Sequence, residues 1–417
     1  MGLGPERNDS YMTHVIIGSG AAGMAAAKTI RDIDPGAKIV VITEDDAIYS
    51  RCMLHQYISG ERDDDRLSFV TAEDIKKLNI DLLCGSRVSR IDTANGKVFY
   101  NGGEVAYDRL LIATGSNSFV PPVGSLRDAN NVYGLKNYAD AVNIKEGAKN
   151  AENVVIIGAG LIGLDAAYPL VRAGKKVSVV ELVDSVLSVN LDRRAAKAYQ
   201  ERFEQAGCKF YLGKKAADTV IVDGKVTSVI LDDGQELKSD MIVVAVGVRP
   251  AVGFLEGSGI KVDKSIVVDP YLETSVKGVY AAGDVAGLSG IWPNAAAQGR
   301  AAARNMCGEN EEYTDLFATK NTINFFELVS MSLGKLEPEE GDTVEVFERR
   351  GVYKKAIITG DTLTGVILQG DISNSGHWQQ LIKKKAALKG RRPVFKTSFA
   401  DYFNIEEDGA YAWPESV

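Results

Sequence analysis

Short apolar segments and glycine-rich turns alternate along the first part of the chain. His14–Ile17 is predicted to form a strand, a glycine-rich turn follows at 18–23, and a helical run continues to Ile30. Lys38–Thr43 is the next predicted strand, and it leads into the acidic Glu44. This order of strand, turn, helix and strand predicts a βαβ unit of the kind that binds dinucleotides.

The same order of elements returns later in the chain. Asn153–Ile157 is predicted to be a strand, residues 158–163 form the turn, and Leu164–Ala173 forms the helix. Lys176–Val180 is the following strand and leads into Glu181. Two complete units in one chain predict an α/β protein that binds two dinucleotides.

The glycines of each turn have separate roles. Gly18 allows the tight turn, Gly20 lets the pyrophosphate approach the backbone, and Gly23 lets the helix pack closely on the strand. The phosphate then lies at the positive end of the helix. The residues predicted to contact the two pyrophosphates are Gly18, Gly20, Ala21, Ala22 and Gly23 in the first turn, and Gly158, Gly160, Leu161, Ile162 and Gly163 in the second.

An acidic residue follows the second strand of each unit. Glu44 is placed to accept hydrogen bonds from an adenosine ribose, and Glu181 is placed equivalently in the second unit. A carboxylate at Glu181 pairs with a free 2′-hydroxyl and repels a 2′-phosphate, and the next three residues include no arginine. The second unit is therefore predicted to bind NADH rather than NADPH.

Charge and composition exclude several other classes of function. The net charge of −8 makes nucleic acid an unexpected partner, and the four scattered cysteines provide no clustered thiolates for zinc or iron–sulfur sites. No apolar run is long enough to predict a membrane span. Residues 1–13 are polar and give no sign of a signal peptide, so a cytoplasmic location is expected. No bound metal is predicted.

Three further motifs carry a family resemblance: Tyr107–Gly115 (YDRLLIATG), Met241–Pro250 (MIVVAVGVRP) and Thr274–Asp284 (TSVKGVYAAGD). Together with the two glycine turns, they resemble the pyridine nucleotide–disulfide oxidoreductase superfamily over about three quarters of the chain. The resemblance implies two Rossmann-like domains, with the NAD domain inserted in the FAD domain. It places the FAD domain at 1–117 and 246–317, and the NAD domain at 118–245.

The resemblance also assigns cofactor contacts outside the glycine turns. Asp284 stands where relatives hold the flavin ribityl chain, although a helix-capping role is equally compatible with its position. Trp292 precedes the predicted helix Ala295–Asn305 and is either a flavin contact or a core residue. The further residues assigned in this way are Arg51, Thr114, Gly115 and Gly283 for FAD, and Asp165 and Gly247 for NAD.

Cys52 is the candidate redox thiol. Disulfide reductases of this superfamily carry a CxxxxC pair here, whereas this chain has Tyr57 at the second position, so a disulfide mechanism is excluded. A lone cysteine is similar to the NADH oxidase, NADH peroxidase and coenzyme A-disulfide reductase branch. Tyr49, Arg51 and Leu54 instead resemble the rubredoxin and nitrite reductase branch, in which Cys52 is a packing residue. Both interpretations remain open at this stage.

The last segment, 318–417, is predicted to be a small α+β domain of strands followed by one helix. Residues 360–371 and 378–382 resemble the C-terminal domain of the rubredoxin reductase branch, which supports dimerisation or acceptor docking in relatives. A run of cations follows, and it is either a solvated face or a docking site for a small acidic carrier of the rubredoxin or ferredoxin type. The cations are Lys383, Lys384, Lys385, Lys389, Arg391, Arg392 and Lys396.

These observations predict an FAD-dependent oxidoreductase. Hydride is expected to pass from NADH to the flavin N5, and electrons are then expected to pass to an iron–sulfur carrier protein. One alternative is a Cys52-dependent NADH oxidase, peroxidase or coenzyme A-disulfide reductase. Another is a flavin subunit of a larger redox complex. The chain itself is expected to be a monomer, a homodimer or such a subunit.

Overall fold

The computed structural model describes residues 12–315, 320–390, 393–409 and 411–412 of the chain. The helices are α1 (Ala21–Ile33), α2 (Leu54–Ser59), α3 (Asp64–Leu67), α4 (Ala72–Leu78), α5 (Tyr138–Asn150), α6 (Leu161–Arg172), α7 (Arg193–Gln205), α8 (Trp292–Met306) and α9 (Ser375–Lys383). Short 3₁₀ turns lie at Arg51–Met53, Gly253–Leu255, Asp284–Ala286, Val394–Lys396 and Phe399–Asp401. Within the described ranges, no helix is long and apolar enough to cross a membrane.

The strands form several separate sheets. In chain order they are β1 (Thr13–Ile17), β2 (Lys38–Ile42), β3 (Asp81–Leu83), β4 (Val88–Asp92), β5 (Lys97–Tyr100), β6 (Gly103–Ala106), β7 (Arg109–Ile112), β8 (Ser116–Ser118), β9 (Val132–Tyr133), β10 (Asn153–Ile157), β11 (Lys176–Glu181), β12 (Lys209–Leu212), β13 (Ala216–Val222), β14 (Lys225–Leu231), β15 (Glu236–Lys238), β16 (Met241–Val244), β17 (Val248–Pro250), β18 (Val279–Ala281), β19 (Lys320–Phe325), β20 (Leu328–Gly334), β21 (Asp342–Arg349), β22 (Val352–Thr359), β23 (Thr362–Gln369), β24 (Asn404–Ile405) and β25 (Tyr411–Ala412). The chain divides into two compact units, which are described separately below.

The first unit, built from residues 12–118, 136–141 and 247–315, has a five-stranded parallel sheet in the order β18-β7-β1-β2-β3. Strand β1 is central and almost completely buried, because α1 and α8 cover one face of the sheet while apolar side chains fill the other. Helices α1 and α8 approach closely at Gly299, where an added Cβ would lie 2.1 Å from the Ala22 carbonyl oxygen. A three-stranded antiparallel sheet, β4-β5-β6, precedes the return to β7.

The second unit, built from residues 119–135, 142–246 and the described residues after 319, contains an equivalent sheet. Its strand order is β12-β11-β10-β16-β9, all pairs are parallel, and β13-β14-β15 form an antiparallel sheet before the return to β16. The buried apolar strand β10 takes the central place that β1 has in the first unit. The predicted repeat of the βαβ unit therefore extends to the whole sheet topology.

The C-terminal part of the second unit is a five-stranded antiparallel sheet in the order β19-β20-β23-β22-β21, with α9 packed on it. This sheet is anchored to α7. Asp192, the N-cap of α7, accepts a hydrogen bond from the Tyr353 hydroxyl at 2.6 Å and lies 3.2 Å from the Lys355 ammonium. The Gln369 side-chain amide donates to the Ala195 carbonyl at 2.9 Å. The predicted α/β class with two Rossmann-like domains and a small α+β C-terminal domain is confirmed.

Two helices begin earlier than the sequence pattern suggests. Helix α6 starts at Leu161 rather than Leu164, because Gly160 is its N-cap and Leu164 already donates to the Gly160 carbonyl at 3.0 Å. Helix α8 starts at Trp292, with Pro293 in its first turn, where a missing N–H costs nothing. In α6 the apolar residues continue directly from the glycine turn, and in α8 a proline and small residues give no helical period, so the sequence does not mark either start.

Candidate functional site

The first glycine turn lies in the first unit, between β1 and α1. Gly18 has φ +108°, and a Cβ there would lie 2.3 Å from the Ala113 carbonyl oxygen of the neighbouring strand end. A Cβ on Gly23 would lie 1.9 Å from the Gly18 carbonyl oxygen. These two positions are therefore restricted to glycine by the protein itself. Around Gly20, in contrast, a Cβ would meet no protein atom within 4 Å.

The second turn repeats this geometry between β10 and α6. Gly158 also has φ +108°, with a Cβ position 2.4 Å from the Ala245 carbonyl oxygen. A Cβ on Gly163 would lie 2.0 Å from the Gly158 carbonyl oxygen, and the space beside Gly160 is open. A glycine whose side-chain position is free of protein atoms at a helix N-terminus fits a turn that a pyrophosphate approaches. Both turns thus fit a dinucleotide.

The acidic residues predicted to bind ribose have different surroundings. Glu44 is exposed, and one of its carboxylate oxygens lies 3.7 Å from the Arg87 guanidinium. Glu181 is half-buried and accepts backbone hydrogen bonds from Ala159 at 2.7 Å and Val183 at 3.1 Å. The second carboxylate is therefore oriented by the turn itself, whereas the first is held only by a long surface ion pair.

Asp284 lies at the end of the first unit's sheet, in the 3₁₀ turn that follows β18. One of its carboxylate oxygens accepts hydrogen bonds from the Ser116 hydroxyl and the Lys136 ammonium, each at 2.8 Å. Burial opposes ionisation of Asp284, but Lys136 and Ser116 outweigh it and hold the pKa of the carboxyl below its ordinary value. Asp284 is thus an ionised acceptor for polar groups, which fits a sugar-hydroxyl ligand better than helix capping.

Lys136 and Gln298 were missed by the sequence reasoning. Lys136 lies between β9 and α5, far from Asp284 in sequence, and nothing in its local sequence distinguishes it from a surface lysine. Gln298 is completely buried in α8, and its side-chain oxygen accepts the Gly283 N–H at 2.8 Å, which holds the turn before Asp284. The small-residue pattern around Gln298 was a signal that this polar side chain faces the core.

The motif residues Thr114 and Gly115 lie just after β7. The Thr114 hydroxyl donates to the Ala251 carbonyl at 3.0 Å, and Gly115 has φ +69°. No protein atom would lie within 4 Å of a Cβ on Gly115. Both residues therefore belong to the first unit, together with Asp284, as a flavin contact requires.

The segment around Cys52 also lies in the first unit. Cys52 is exposed in the 3₁₀ turn before α2, and none of the four cysteines, all of which the structure describes, is in a disulfide. The Arg51 guanidinium donates to the Lys136 carbonyl at 3.1 Å and lies 3.6 Å from the Asp45 carboxylate. Burial lowers the pKa of His55, with the charge of Glu61 and a hydrogen bond to the Cys52 backbone opposing. Arg51 thus contacts the loop that carries Lys136, the cation that pairs with Asp284.

Trp292 is half-buried at the first position of α8. Its ring meets that of Phe69 edge-on, with 4.9 Å between the ring centroids, and packs against the core beneath α1. A core contact and a ligand contact are both compatible with this position. A role of Trp292 at the flavin therefore stays a prediction.

Three residues predicted to contact NAD have distinct positions. Asp165 is half-buried in the first part of α6, where burial raises the pKa of its carboxyl to about 7. Ile162, at the start of the same helix, is exposed. Gly247, with φ +117°, is grouped with the first unit rather than with the second turn. Their contacts with a nicotinamide cofactor stay predictions.

The predicted basic segment lies at the end of α9 and after it. Lys383, Lys384, Lys385 and Lys389 are all exposed. Lys385 and Lys389 have left-handed backbones, and the Lys389 N–H is held by the Asp361 carboxylate at 2.9 Å. Arg391 and Arg392 lie outside the described residues.

Comparison with known proteins supports the resemblance to the pyridine nucleotide–disulfide oxidoreductase superfamily. Residues 12–299 match the pyridine nucleotide-disulphide oxidoreductase family, and residues 320–386 match the rubredoxin NAD+ reductase C-terminal domain. The rubredoxin-NAD(+) reductase of Alcanivorax borkumensis is 31% identical over 365 residues, which cover 84% of this chain and 94% of that protein. The ferredoxin reductase for the CYP199A2 system from Rhodopseudomonas palustris has a similar fold, with a TM-score of 0.82 over 90% of this chain and 95% of that one at 24% identity.

Some relatives are much longer than this chain. The assimilatory nitrate reductase electron transfer subunit of Bacillus subtilis is 33% identical over 368 residues, which cover 86% of this chain but 47% of that protein. The chain thus spans about half the length of the Bacillus subtilis relatives it matches. The family match nevertheless covers both glycine turns and the Asp284 motif in one continuous stretch. On this evidence, the chain belongs to the pyridine nucleotide-disulphide oxidoreductase family.

Proposed function

We propose that this protein is an FAD-dependent NADH oxidoreductase that passes electrons to a small iron–sulfur or rubredoxin-type carrier protein. The observation that carries the proposal is the single thiol at the family's redox position. Cys52 is not in a disulfide, and Tyr57 occupies the place of the second cysteine. Without a thiol pair to accept two electrons, an external one-electron carrier is the acceptor that the site supports best. The match to a rubredoxin reductase C-terminal domain agrees with this acceptor.

The chain's own residues have positioning roles in this reaction. We assign FAD to the first turn, with the ionised Asp284 as acceptor for its sugar hydroxyls and Lys136 as the cation beside it. Gly18, Gly20 and the N-terminus of α1 receive its pyrophosphate. When bound, FAD supplies the conversion between two-electron hydride chemistry and single-electron transfer. The protein supplies orientation and electrostatics.

The second turn is assigned to NADH. Gly158, Gly160 and the N-terminus of α6 receive the pyrophosphate. The Glu181 carboxylate, held by two backbone N–H groups, accepts from the ribose 2′-hydroxyl and disfavours a 2′-phosphate by charge repulsion. The two carboxylate–backbone bonds support the preference for NADH, because they prevent Glu181 from turning away from a phosphate.

An anaerobic titration with NADH tests the proposed acceptor. One NADH per FAD should reduce the flavin completely, with no charge-transfer band from a thiolate, because only the flavin accepts electrons. The Cys52→Ser variant should behave identically and keep its electron transfer to a carrier protein. A requirement for two NADH in the wild type, lost in Cys52→Ser, would instead identify a Cys52-dependent oxidase, peroxidase or coenzyme A-disulfide reductase.

The exposed lysines at the end of α9 are proposed to attract an acidic carrier. Replacing both Lys384 and Lys385 with Glu should lower kcat/KM for an acidic rubredoxin or ferredoxin at low salt, because steering by opposite charge is lost. Ferricyanide reduction, which needs no docking, serves as the control and should not change. The same loss at high salt as at low salt would contradict an electrostatic role for this segment.

A second candidate function is that of a flavin subunit in a larger redox complex. It is supported by the name of the Bacillus subtilis relative, which is itself called an electron transfer subunit. In this case the purified chain would reduce its flavin with NADH but turn over slowly with free carriers. Stable co-purification with a partner that restores turnover would favour this candidate.

A further inference from the structure

Three tyrosines cluster in the first unit beside the loop that carries Lys136. Tyr57 lies on α2, Tyr138 begins α5, and Tyr49 precedes Arg51. The ring centroids of Tyr57 and Tyr138 are 5.2 Å apart, and those of Tyr49 and Tyr138 are 5.8 Å apart. Tyr138 is two residues after Lys136, which is ion-paired with Asp284. The cluster therefore belongs to the structure that surrounds the predicted flavin contacts.

The hydroxyl groups of Tyr57 and Tyr138 form a chain of hydrogen bonds with the Asp64 carboxylate. The Tyr138 hydroxyl lies 2.5 Å from the Asp64 carboxylate and 3.2 Å from the Tyr57 hydroxyl. Because a phenol has one proton and a carboxylate only accepts, Tyr138 donates to Asp64 and accepts from Tyr57. Asp64 is exposed, whereas Tyr57 and Tyr138 are half-buried. The hydrogen bonds therefore run in one direction, from two half-buried hydroxyls to an exposed carboxylate.

Tyr138 is also held firmly in place. Its backbone N–H donates to the Tyr49 hydroxyl at 3.0 Å, and the Tyr49 hydroxyl donates to the Asp45 carboxylate at 3.0 Å. Burial, and then the hydrogen bond donated to Asp64, raise the pKa of Tyr138 above its ordinary value. The phenol thus stays protonated at neutral pH and is able to receive one proton as it gives up another.

The proposed reaction requires an exit for protons. Oxidation of one NADH by two one-electron carriers yields NAD+, two reduced carriers and one proton, so each turnover must release a proton to solvent. We propose that Tyr57, Tyr138 and Asp64 form a relay that conducts this proton to the surface. A proton received at the Tyr57 oxygen shifts the Tyr57 proton to Tyr138 and the Tyr138 proton to Asp64, which then loses it to water. The inference rests on the proposed function, because a two-electron acceptor such as a disulfide would take up the proton itself.

Proton release from the FAD-loaded full chain tests the relay. The protein is reduced anaerobically and mixed with ferricyanide in weak buffer containing phenol red, so that flavin reoxidation and proton appearance are recorded together. In wild type the two signals should coincide. In Tyr138→Phe and Asp64→Asn, proton appearance should slow roughly a hundred-fold, the lower end of what a positioned proton-transfer group contributes.

Two variants control for packing and charge. Tyr100→Phe removes the hydroxyl of another half-buried tyrosine in the first unit, and Asp65→Asn removes the same charge one residue from Asp64, but neither residue belongs to the relay. Both should release protons as wild type does. Equal slowing in these controls, or wild-type release in Tyr138→Phe, would overturn the relay while leaving the proposed function intact. Failure of wild-type reduced flavin to pass electrons to ferricyanide would instead overturn the proposed function.

A second readout needs no turnover. Because the Asp64 carboxylate raises the pKa of Tyr138, Asp64→Asn should let one more phenol ionise at alkaline pH, seen as an increase in absorbance near 295 nm. The increase should disappear when Tyr138→Phe is added to Asp64→Asn. An unchanged titration in Asp64→Asn would contradict the hydrogen bond on which the relay depends.

Discussion

The two dinucleotide turns of this protein have the same backbone and different side chains. Gly18 and Gly158 have the same φ of +108°, and each donates its N–H to the end of the neighbouring strand at 2.8 Å. In the first turn the carboxylate predicted to bind ribose, Glu44, is exposed and paired with an arginine. In the second, Glu181 is bonded to the turn's own backbone. The two turns thus share a backbone motif that fits a dinucleotide, and they differ in the side chains around it.

A second pair of carboxylates differs in the same way. Asp284, in the first unit, has a lowered pKa because Lys136 and Ser116 compensate for its burial. Asp165, in the second unit, has a pKa raised to about 7 by burial. Asp284 is therefore an anion at neutral pH, whereas the charge of Asp165 changes near pH 7. The two units thus have different electrostatic environments around these carboxylates.

The largest effect is expected from Lys136→Met. Lys136 and Asp284 each expose 19% of their side chains, so the change leaves a mostly buried carboxylate without its cation. We expect a loss of about 3 kcal/mol in unfolding free energy, the lower end of the cost of breaking a buried pair, together with lower FAD content. Urea unfolding and flavin absorbance measure both. Lys149→Met, which removes a surface pair with Glu146, is the control and should cost little.

A matched pair of glycine variants separates the two turns. Because a side chain at Gly20 or Gly160 would meet no protein atom, Val at either position should be tolerated by the fold and should occupy the space of the pyrophosphate. Gly160→Val should weaken NADH binding roughly a hundred-fold, because displacing the pyrophosphate removes hydrogen bonds to a charged group that contribute up to about 3 kcal/mol each, while FAD content stays normal. Gly20→Val should lose FAD instead. Loss of FAD in both variants would refute the assignment of one ligand to each turn.

Variants of Glu181 and Glu44 test whether backbone hydrogen bonds that orient a carboxylate strengthen the binding of a cofactor. Glu181→Gln should weaken NADH binding roughly ten-fold, since a hydrogen bond to a charged group contributes about 1.5 kcal/mol, and should reduce discrimination against NADPH. Glu44→Gln should change FAD retention less, because its carboxylate is exposed and held by a single ion pair at 3.7 Å. Binding titrations and flavin release measure the two effects. Equal losses would show that exposure does not distinguish the two sites.

The last comparison concerns the pH dependence of stability, in which the two carboxylates should act in opposite directions. The folded-state pKa of Asp284 is below its unfolded value, so its contribution is present above about pH 4 and is lost at lower pH. The folded-state pKa of Asp165 is raised, so its contribution is present below about pH 4 and is lost as the pH rises to about 7. Asp284→Asn and Asp165→Asn should therefore change the slope of unfolding free energy against pH in opposite directions. Slopes that change in the same direction would contradict this difference between the two carboxylates.

The sequence predicted the elements whose physics is local. The strands β1, β2, β10 and β11 lie within one or two residues of the predicted segments, because a continuous apolar run next to a glycine turn leaves few alternatives. The starts of α6 and α8 were less accurate, since the apolar residues of α6 continue directly from its glycine turn and the proline and small residues of α8 gave no helical period. The C-terminal order of strands followed by one helix was predicted for the same local reasons.

The partners of the predicted site residues were not predictable. Asp284 was identified from its motif, but Lys136 and Ser116 reach it from segments more than a hundred residues away. Tyr138 meets Asp64 and Tyr57 across sequence separations of 74 and 81 residues. No periodicity in the sequence encodes such pairs, because they arise only when the loops after different strands meet at one edge of a sheet.

The amino-acid sequence by itself predicted two dinucleotide-binding turns and the glycines that form them, because the tight turn, the close helix and the open helix N-terminus are properties of consecutive residues. It also determined that a thiol pair is absent at Cys52 and Tyr57. Only the tertiary structure decided which buried carboxylates have a cation beside them and which hydroxyl groups are linked by hydrogen bonds. Charge compensation and hydrogen bonding depend on distances between residues that are remote in sequence, and folding alone establishes those distances.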